Sequence, residues 1–148
     1  MSYQNFAGYA GDVLATDAYA LLESDHASVL IDVRTKAEWA FVGAPELQAL
    51  GKTPFFVEWQ TYPAMEVDAN FAGRLEAQLK SAGVEPGAPL VFLCRSGARS
   101  QHAAVAMTNA GWAPCFNVSD GFEGPLDGSR RRGGVGGWKA GGLPWAQT

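Results

Sequence analysis

The sequence predicts an α/β domain built on a largely parallel sheet. Short apolar runs at 29–33, 89–93 and 115–118 have the composition of strands buried on both faces. Stretches of helical period lie between them, and turn residues separate one element from the next.

Taken in order, Thr16 is placed to cap a first helix carrying Ala18, Leu21 and Leu22. Val29-Leu30-Ile31-Asp32-Val33 is a strand. Thr35 and Glu38 then stand at the spacing of a capping box, so a short helix through Trp39 and Phe41 follows. Residues 54–59 form another strand candidate, and Asp68 is expected to cap a helix. In that helix Phe71, Leu75, Leu79 and Ala82 share one face, and Gly83 ends it. The strand 89–93 leads directly into Cys94. A helix over about 99–110 comes next, where Ala103, Ala106 and Ala110 allow close approach to a sheet and Gly111 stops the helix. Residues 115–118 make the last clear strand. From 121 to 137 the chain carries glycines at 121, 124, 128, 133, 134, 136 and 137 around Arg130, Arg131 and Arg132. That stretch reads as a long surface loop on the edge of the sheet that carries Cys94, a mobile basic rim or lid able to recruit an anionic donor or a partner.

The 148 residues suit one domain spanning 1–148, and 47% hydrophobic with 18% charged residues is a globular mixture. A net charge of −4 argues against a general nucleic-acid binder. Membrane crossing needs roughly 18 consecutive apolar residues, and no segment approaches that. Residues 1–6 lack the charged and apolar regions of a signal peptide, so cytoplasmic residence is expected, without membrane association. Two cysteines, Cys94 and Cys115, are expected to be free thiols.

Cys94-Arg95-Ser96-Gly97-Ala98-Arg99-Ser100 carries the chemistry. A buried strand, a tight turn and a helix put the thiol at the carboxyl edge of the sheet, where open α/β sheets bind ligands. Backbone N–H groups of 95–99 are expected to converge on the sulfur at the helix start and, with Arg95 and Arg99, to favour thiolate in a solvent-open site. The small Ser96 and Gly97 leave room above the sulfur. Ser100 is placed to cap the helix or bond into the loop.

The same segment resembles the active-site loop of rhodanese-family sulfurtransferases. Leu30-Ile31-Asp32-Val33-Arg34 with Glu38-Trp39, then Asn117-Val118-Ser119-Asp120-Gly121, and Trp138-Lys139-Ala140-Gly141-Gly142-Leu143-Pro144, resemble that family's flanking signatures. The resemblance covers about residues 10–146. It implies a rhodanese-like fold with a central five-stranded parallel sheet flanked by helices on both faces. It also implies that Cys94 takes a sulfane sulfur from thiosulfate or a related donor, becomes a persulfide, and passes the sulfur to cyanide or a thiol. Arg95, Ser96, Gly97, Ala98 and Arg99 would then hold the anionic donor, with no metal and no organic cofactor. A sulfur-relay protein is a possible partner. Two departures stand out: the run 41–47 replaces the Gly-His turn of many members, and the 121–137 segment is an insertion.

Two other functions fit parts of the pattern. One is a persulfide-carrying or partner-binding module with little turnover of its own. The other is a Cys-dependent phosphatase or arsenate reductase, which the loop length disfavours: those proteins have five residues between Cys and Arg, a spacing that would require arginine where Ser100 stands.

Asp32 and Arg34 open on the same edge as Cys94 and are candidates to support the site, although an Arg34 pair with Asp32 or Glu38 would be structural. Cys115 reads as core, and His102 as an exposed helical residue. His26 sits in a polar turn with no visible partner. Trp39, Trp59 and Trp112 read as core or edge, and Trp138 and Trp145 as anchors of the carboxyl tail.

Overall fold

The structure, a computed structural model, describes residues 8–61 and 63–147. The signal-peptide reading of residues 1–6 lies outside the described residues. In chain order the elements are β1 (Gly11–Val13), α1 (Ala15–Ser24), β2 (Val29–Asp32), α2 (Lys36–Phe41) and β3 (Ala44–Pro45). A short 3-10 turn (Gln48–Leu50), β4 (Phe55–Phe56), β5 (Gln60–Thr61) and β6 (Glu66–Val67) follow. Then come α3 (Phe71–Ser81), β7 (Leu90–Leu93), α4 (Ala98–Asn109), β8 (Cys115–Val118), α5 (Gly137–Ala140) and β9 (Trp145–Ala146).

Five strands form the main sheet in the order β1-β8-β7-β2-β4, every pairing parallel. All four residues of the central strand β7 are buried, as its unbroken apolar sequence requires. Alternation sorts the side chains. Leu90, Phe92 and Ile31 face Phe71, Leu75 and Leu79 of α3 and Ala103 and Met107 of α4. Val91, Leu93 and Leu30 face Ala15, Ala18 and Leu22 of α1, with Trp138 of α5. Helices therefore cover both faces, as expected. Trp138, expected to anchor the tail, is a fully buried core residue.

Several local expectations are corrected. Helix α1 has no side-chain cap from Thr16; its first amide, that of Ala15, donates to Asp120 Oδ1 at 2.8 Å, from 105 residues away. Helix α3 starts at Phe71 behind Asn70, while Asp68 binds the Asn70 N–H at 2.9 Å as part of the preceding turn. The strand expected over 54–59 shrinks to Phe55–Phe56.

The glycine-rich segment is also not a detached loop. Gly121, Phe122, Gly124 and Gly137 are buried. Gly121, at φ 67°, lies so close to the cysteine loop that a Cβ would sit 2.3 Å from the Arg95 carbonyl oxygen. A Cβ on Gly124 would stand 2.1 Å from the carbonyl oxygen of Gly136, so the segment closes on itself. The arginine-bearing tip folds around Asp127, whose Oδ1 accepts the N–H groups of Ser129 at 2.7 Å and Arg131 at 2.9 Å. Arg132 reaches back to the Gly124 carbonyl at 2.8 Å.

Candidate active site

Cys94 follows the central strand, and the sheet edge there also carries the ends of β2 and β8. Gly97 turns the chain at φ 107° and serves as N-cap of α4. A side chain would collide at this position, since a Cβ would stand 2.4 Å from the Ser119 carbonyl oxygen. The carbonyl of Cys94 accepts the Phe122 N–H at 2.7 Å, and that of Arg95 accepts those of Glu123 at 3.0 Å and Gly124 at 3.1 Å. The start of the glycine-rich segment thus fixes the cysteine loop from behind, a role its composition does not reveal.

The sulfur is less open than the sequence suggests. Cys94 as a residue is only 1% exposed. Its neighbourhood is nevertheless polar on one side: Gly97 N–H donates to Sγ at 3.1 Å, and Ser100 Oγ lies 3.1 Å from it. Of the amides expected to converge from 95–99, that of Gly97 is the one bonded to sulfur. Cys94 lies at the base of a pocket of about 270 Å³ lined by Glu38, Gln60, Met65, Arg95, Ser96, Ala98 and Arg99.

Arg95 is exposed on the rim and makes no ion pair among the described residues. Arg99, expected as a second free cation, is instead engaged: Nη1 and Nη2 bind the two oxygens of Glu38 at 2.7 and 2.9 Å. Glu38 also completes the capping box on Thr35. Burial on its own would raise the Glu38 carboxyl, but the Arg99 bond and charge, the Thr35 N–H and Arg34 hold it below its ordinary value. Burial would lower Arg99, and Glu38, followed by Cys94 and Asp32, holds it above its ordinary value.

Asp32 and Arg34 lie beneath the site, both fully buried. Arg34 Nη2 meets Asp32 Oδ2 at 2.7 Å and the Gly43 carbonyl at 2.8 Å, and its guanidinium carbon lies 4.1 Å from the centre of the Phe122 ring. They brace the strand-to-helix turn and do not line the pocket. Cys115 is buried, with its thiol pushed up to about 11 by burial. His102 is exposed. A residue that sequence reading missed is Asn117, whose Oδ1 is 2.5 Å from Ser100 Oγ. No helix among the described residues is long and apolar enough to cross a membrane.

The STR4 middle-domain family matches residues 10–148. The chain is 38% identical over 145 residues to the uncharacterized protein RC0915 of Rickettsia conorii, covering 98% of each. It is 26% identical over 133 residues to the rhodanese-like domain-containing protein 4, chloroplastic, of Arabidopsis thaliana, covering 90% of this chain and 25% of that one. Among solved structures, Rv0390 from M. tuberculosis superposes with a TM-score of 0.84 at 45% identity, covering 95% of this chain and 99% of that one. The polysulfide-sulfur transferase homodimer from Wolinella succinogenes shares the fold, with a TM-score of 0.59 at 23% identity over 96% of this chain and 81% of that one. A cysteine loop closing the central strand of such a sheet, and a family match along nearly the whole chain, lead to one assignment: this chain belongs to the rhodanese-like family of sulfurtransferase-type proteins.

Proposed function

We propose that the protein is a sulfurtransferase that moves a sulfane sulfur from thiosulfate or a related anionic donor to cyanide or a thiol. The observation that carries this is the setting of Cys94 Sγ, held by the Gly97 N–H and Ser100 Oγ beneath a pocket with Arg95 on its rim. The Cys94 thiolate attacks the outer sulfur of thiosulfate. The donor S–S bond breaks, sulfite leaves with the electron pair, and Cys94 becomes a persulfide. The acceptor then attacks the terminal sulfur, departing as thiocyanate or a new persulfide, and the Cys94 thiolate returns. Arg95 attracts the donor anion, and the Gly97 N–H holds the charge on sulfur. No external oxidant or reductant enters the cycle.

The phosphatase reading loses support at Ser100. Its hydroxyl is directed at Cys94 and Asn117, in the place where that chemistry requires a guanidinium. A carrier role keeps a specific observation in its favour. A second pocket of about 460 Å³, with Phe41, Val42 and Met65 on its walls, shares Glu38, Met65 and Arg95 with the Cys94 pocket. Phe41 is 81% exposed there, a surface suited to an organic or protein-borne thiol acceptor.

The test is mass spectrometry after thiosulfate treatment, coupled to release of thiocyanate by cyanide. A protein heavier by one sulfur atom that turns over with cyanide supports the enzyme, and Cys94→Ser abolishes both signals. A stable persulfide with negligible turnover supports the carrier. Absence of any sulfur adduct on Cys94 overturns both.

A further inference from the structure

We infer that Asp12, on the protein surface, is a positioning residue that sets the direction of the Ser100 hydroxyl at Cys94, acting through Asn117. The inference rests on the sulfurtransferase reading only in giving Cys94 a reaction to perform. Its physical basis is a continuous row of contacts. Cys94 Sγ to Ser100 Oγ is 3.1 Å, Ser100 Oγ to Asn117 Oδ1 is 2.5 Å, and Asn117 Nδ2 to Asp12 Oδ1 is 3.0 Å. The Tyr9 hydroxyl donates to the same Asp12 oxygen at 2.8 Å, and Gln101 Nε2 donates to that hydroxyl at 3.1 Å. Ser100 is fully buried and Asn117 nearly so, while Asp12 is exposed at the edge strand.

The direction of the row follows from donor chemistry. An ionised carboxylate only accepts hydrogen bonds, so the amide NH2 of Asn117 must face Asp12 and its carbonyl oxygen must face Ser100. Ser100 has one hydroxyl proton and three acceptors in reach: Asn117 Oδ1 at 2.5 Å, Cys94 Sγ at 3.1 Å and the Gly97 carbonyl at 3.2 Å. The contact to Asn117 is the shortest of the three, so when Cys94 is a thiol Ser100 donates to Asn117, and Asn117 donates to the Asp12 charge; each bond in the row polarises the next. When Cys94 is a thiolate, Ser100 must abandon Asn117 and donate to sulfur, leaving the buried amide oxygen without that bond. Asp12 therefore draws the Ser100 proton toward Asn117 and away from sulfur. Other charges act on the sulfur from neighbouring elements: Arg95 on the loop, Arg99 with Glu38 bound to it, and Asp32 with Arg34 beneath. Removal of Asp12 leaves all of those in place.

Without Asp12 the Asn117 amide is free to turn over and present its NH2 to Ser100, which then donates to sulfur. The experiment is the pH profile of iodoacetamide alkylation of Cys94, read by peptide mass spectrometry so that Cys115 is scored separately. It is run at about 1 M salt, where the Debye length is ~3 Å and Coulomb effects through solvent are suppressed. Asp12→Ala should move the midpoint down, so that below the wild-type midpoint alkylation is about threefold faster, the size of a half-unit shift. Asp12→Glu, which keeps an accepting carboxylate, should stay near the wild-type profile. An Asp12→Ala midpoint that is unmoved or raised, or an Asp12→Glu profile that follows Asp12→Ala, overturns the inference. Thiosulfate treatment of the wild type is scored in parallel. A missing sulfur adduct would defeat the sulfurtransferase reading while leaving the alkylation result to stand or fall by itself.

Discussion

Arg99 and Glu38 meet fork to fork, with both guanidinium Nη atoms on the two carboxylate oxygens, across 61 positions of sequence. The contact ties the helix that begins at the cysteine loop to the capping box of α2, and among the described residues it leaves Arg95 as the cation at the pocket without an ion pair.

Replacing Glu38 with Gln removes the charge from this contact. Charge-assisted bonds of this kind contribute about 1.5–3 kcal/mol, so a loss of that order is expected in denaturant melts. The pH sign is fixed by the direction of the shift. The folded Glu38 carboxyl lies below its ordinary value, so the unfolded chain takes up the proton more readily. The contribution is present above the ordinary carboxylate range and is lost as pH falls through the lowered folded value. Wild type and Glu38→Gln should therefore converge in stability under acid conditions; a gap that persists there contradicts the assignment.

The same substitution frees Arg99. Thiosulfate should then bind more tightly at low salt, giving a lower KM, and the gain should vanish as salt is raised. Steady-state kinetics at two salt concentrations decides this.

Arg34 and Asp32 are both inaccessible, so breaking their pair strands a charge in the core. Arg34→Met should cost about 3–5 kcal/mol, and the joint change Asp32→Leu with Arg34→Met should recover most of it. A double variant as unstable as the single one would mean that the Gly43 carbonyl bond matters more than the ion pair.

Gly121→Ala should be severely destabilising, by about 3 kcal/mol, because it adds a Cβ against the Arg95 carbonyl in a left-handed backbone. Gly128→Ala, which meets nothing within 4 Å, should leave Tm nearly unchanged. Thermal melts of the pair test whether the glycine-rich segment is tied to the cysteine loop at its start only.

The two cysteines should separate by reactivity. Cys115 is buried with its thiol pushed up to about 11, so it should resist alkylation near neutral pH until the chain is unfolded. Cys94 should react in the folded protein. Peptide mapping with and without denaturant reads both.

Strands β2, β7 and β8 and the Thr35–Glu38 capping box are visible in the sequence because each is a local pattern: a continuous apolar run, or two residues at fixed spacing. The cysteine loop is visible because its small residues and arginines are contiguous. What escapes are contacts made by distant segments. Thr16 is a plausible local cap, yet Asp120 caps α1 from across the fold. Arg99 reads as a free cation because its partner is already assigned to Thr35 at short range. Glycine content marks 121–137 as flexible, and only the close backbone approaches, of Gly121 to Arg95, Gly124 to Gly136 and Gly137 to Gly121, show that these glycines are demanded by crowding. Strand β1, three residues long, offers too little pattern to detect.

The touching backbones of Gly124 and Gly136 work like a clasp. Whatever lies beyond the clasp is hung from a closed ring, so its length is decoupled from the geometry around the sulfur. Doubling such an excursion adds only about 0.6 kcal/mol of closure entropy. The span 125–135 is thus a place where the protein can gain or shed residues, or carry an inserted tag, while the reacting centre keeps its spacing.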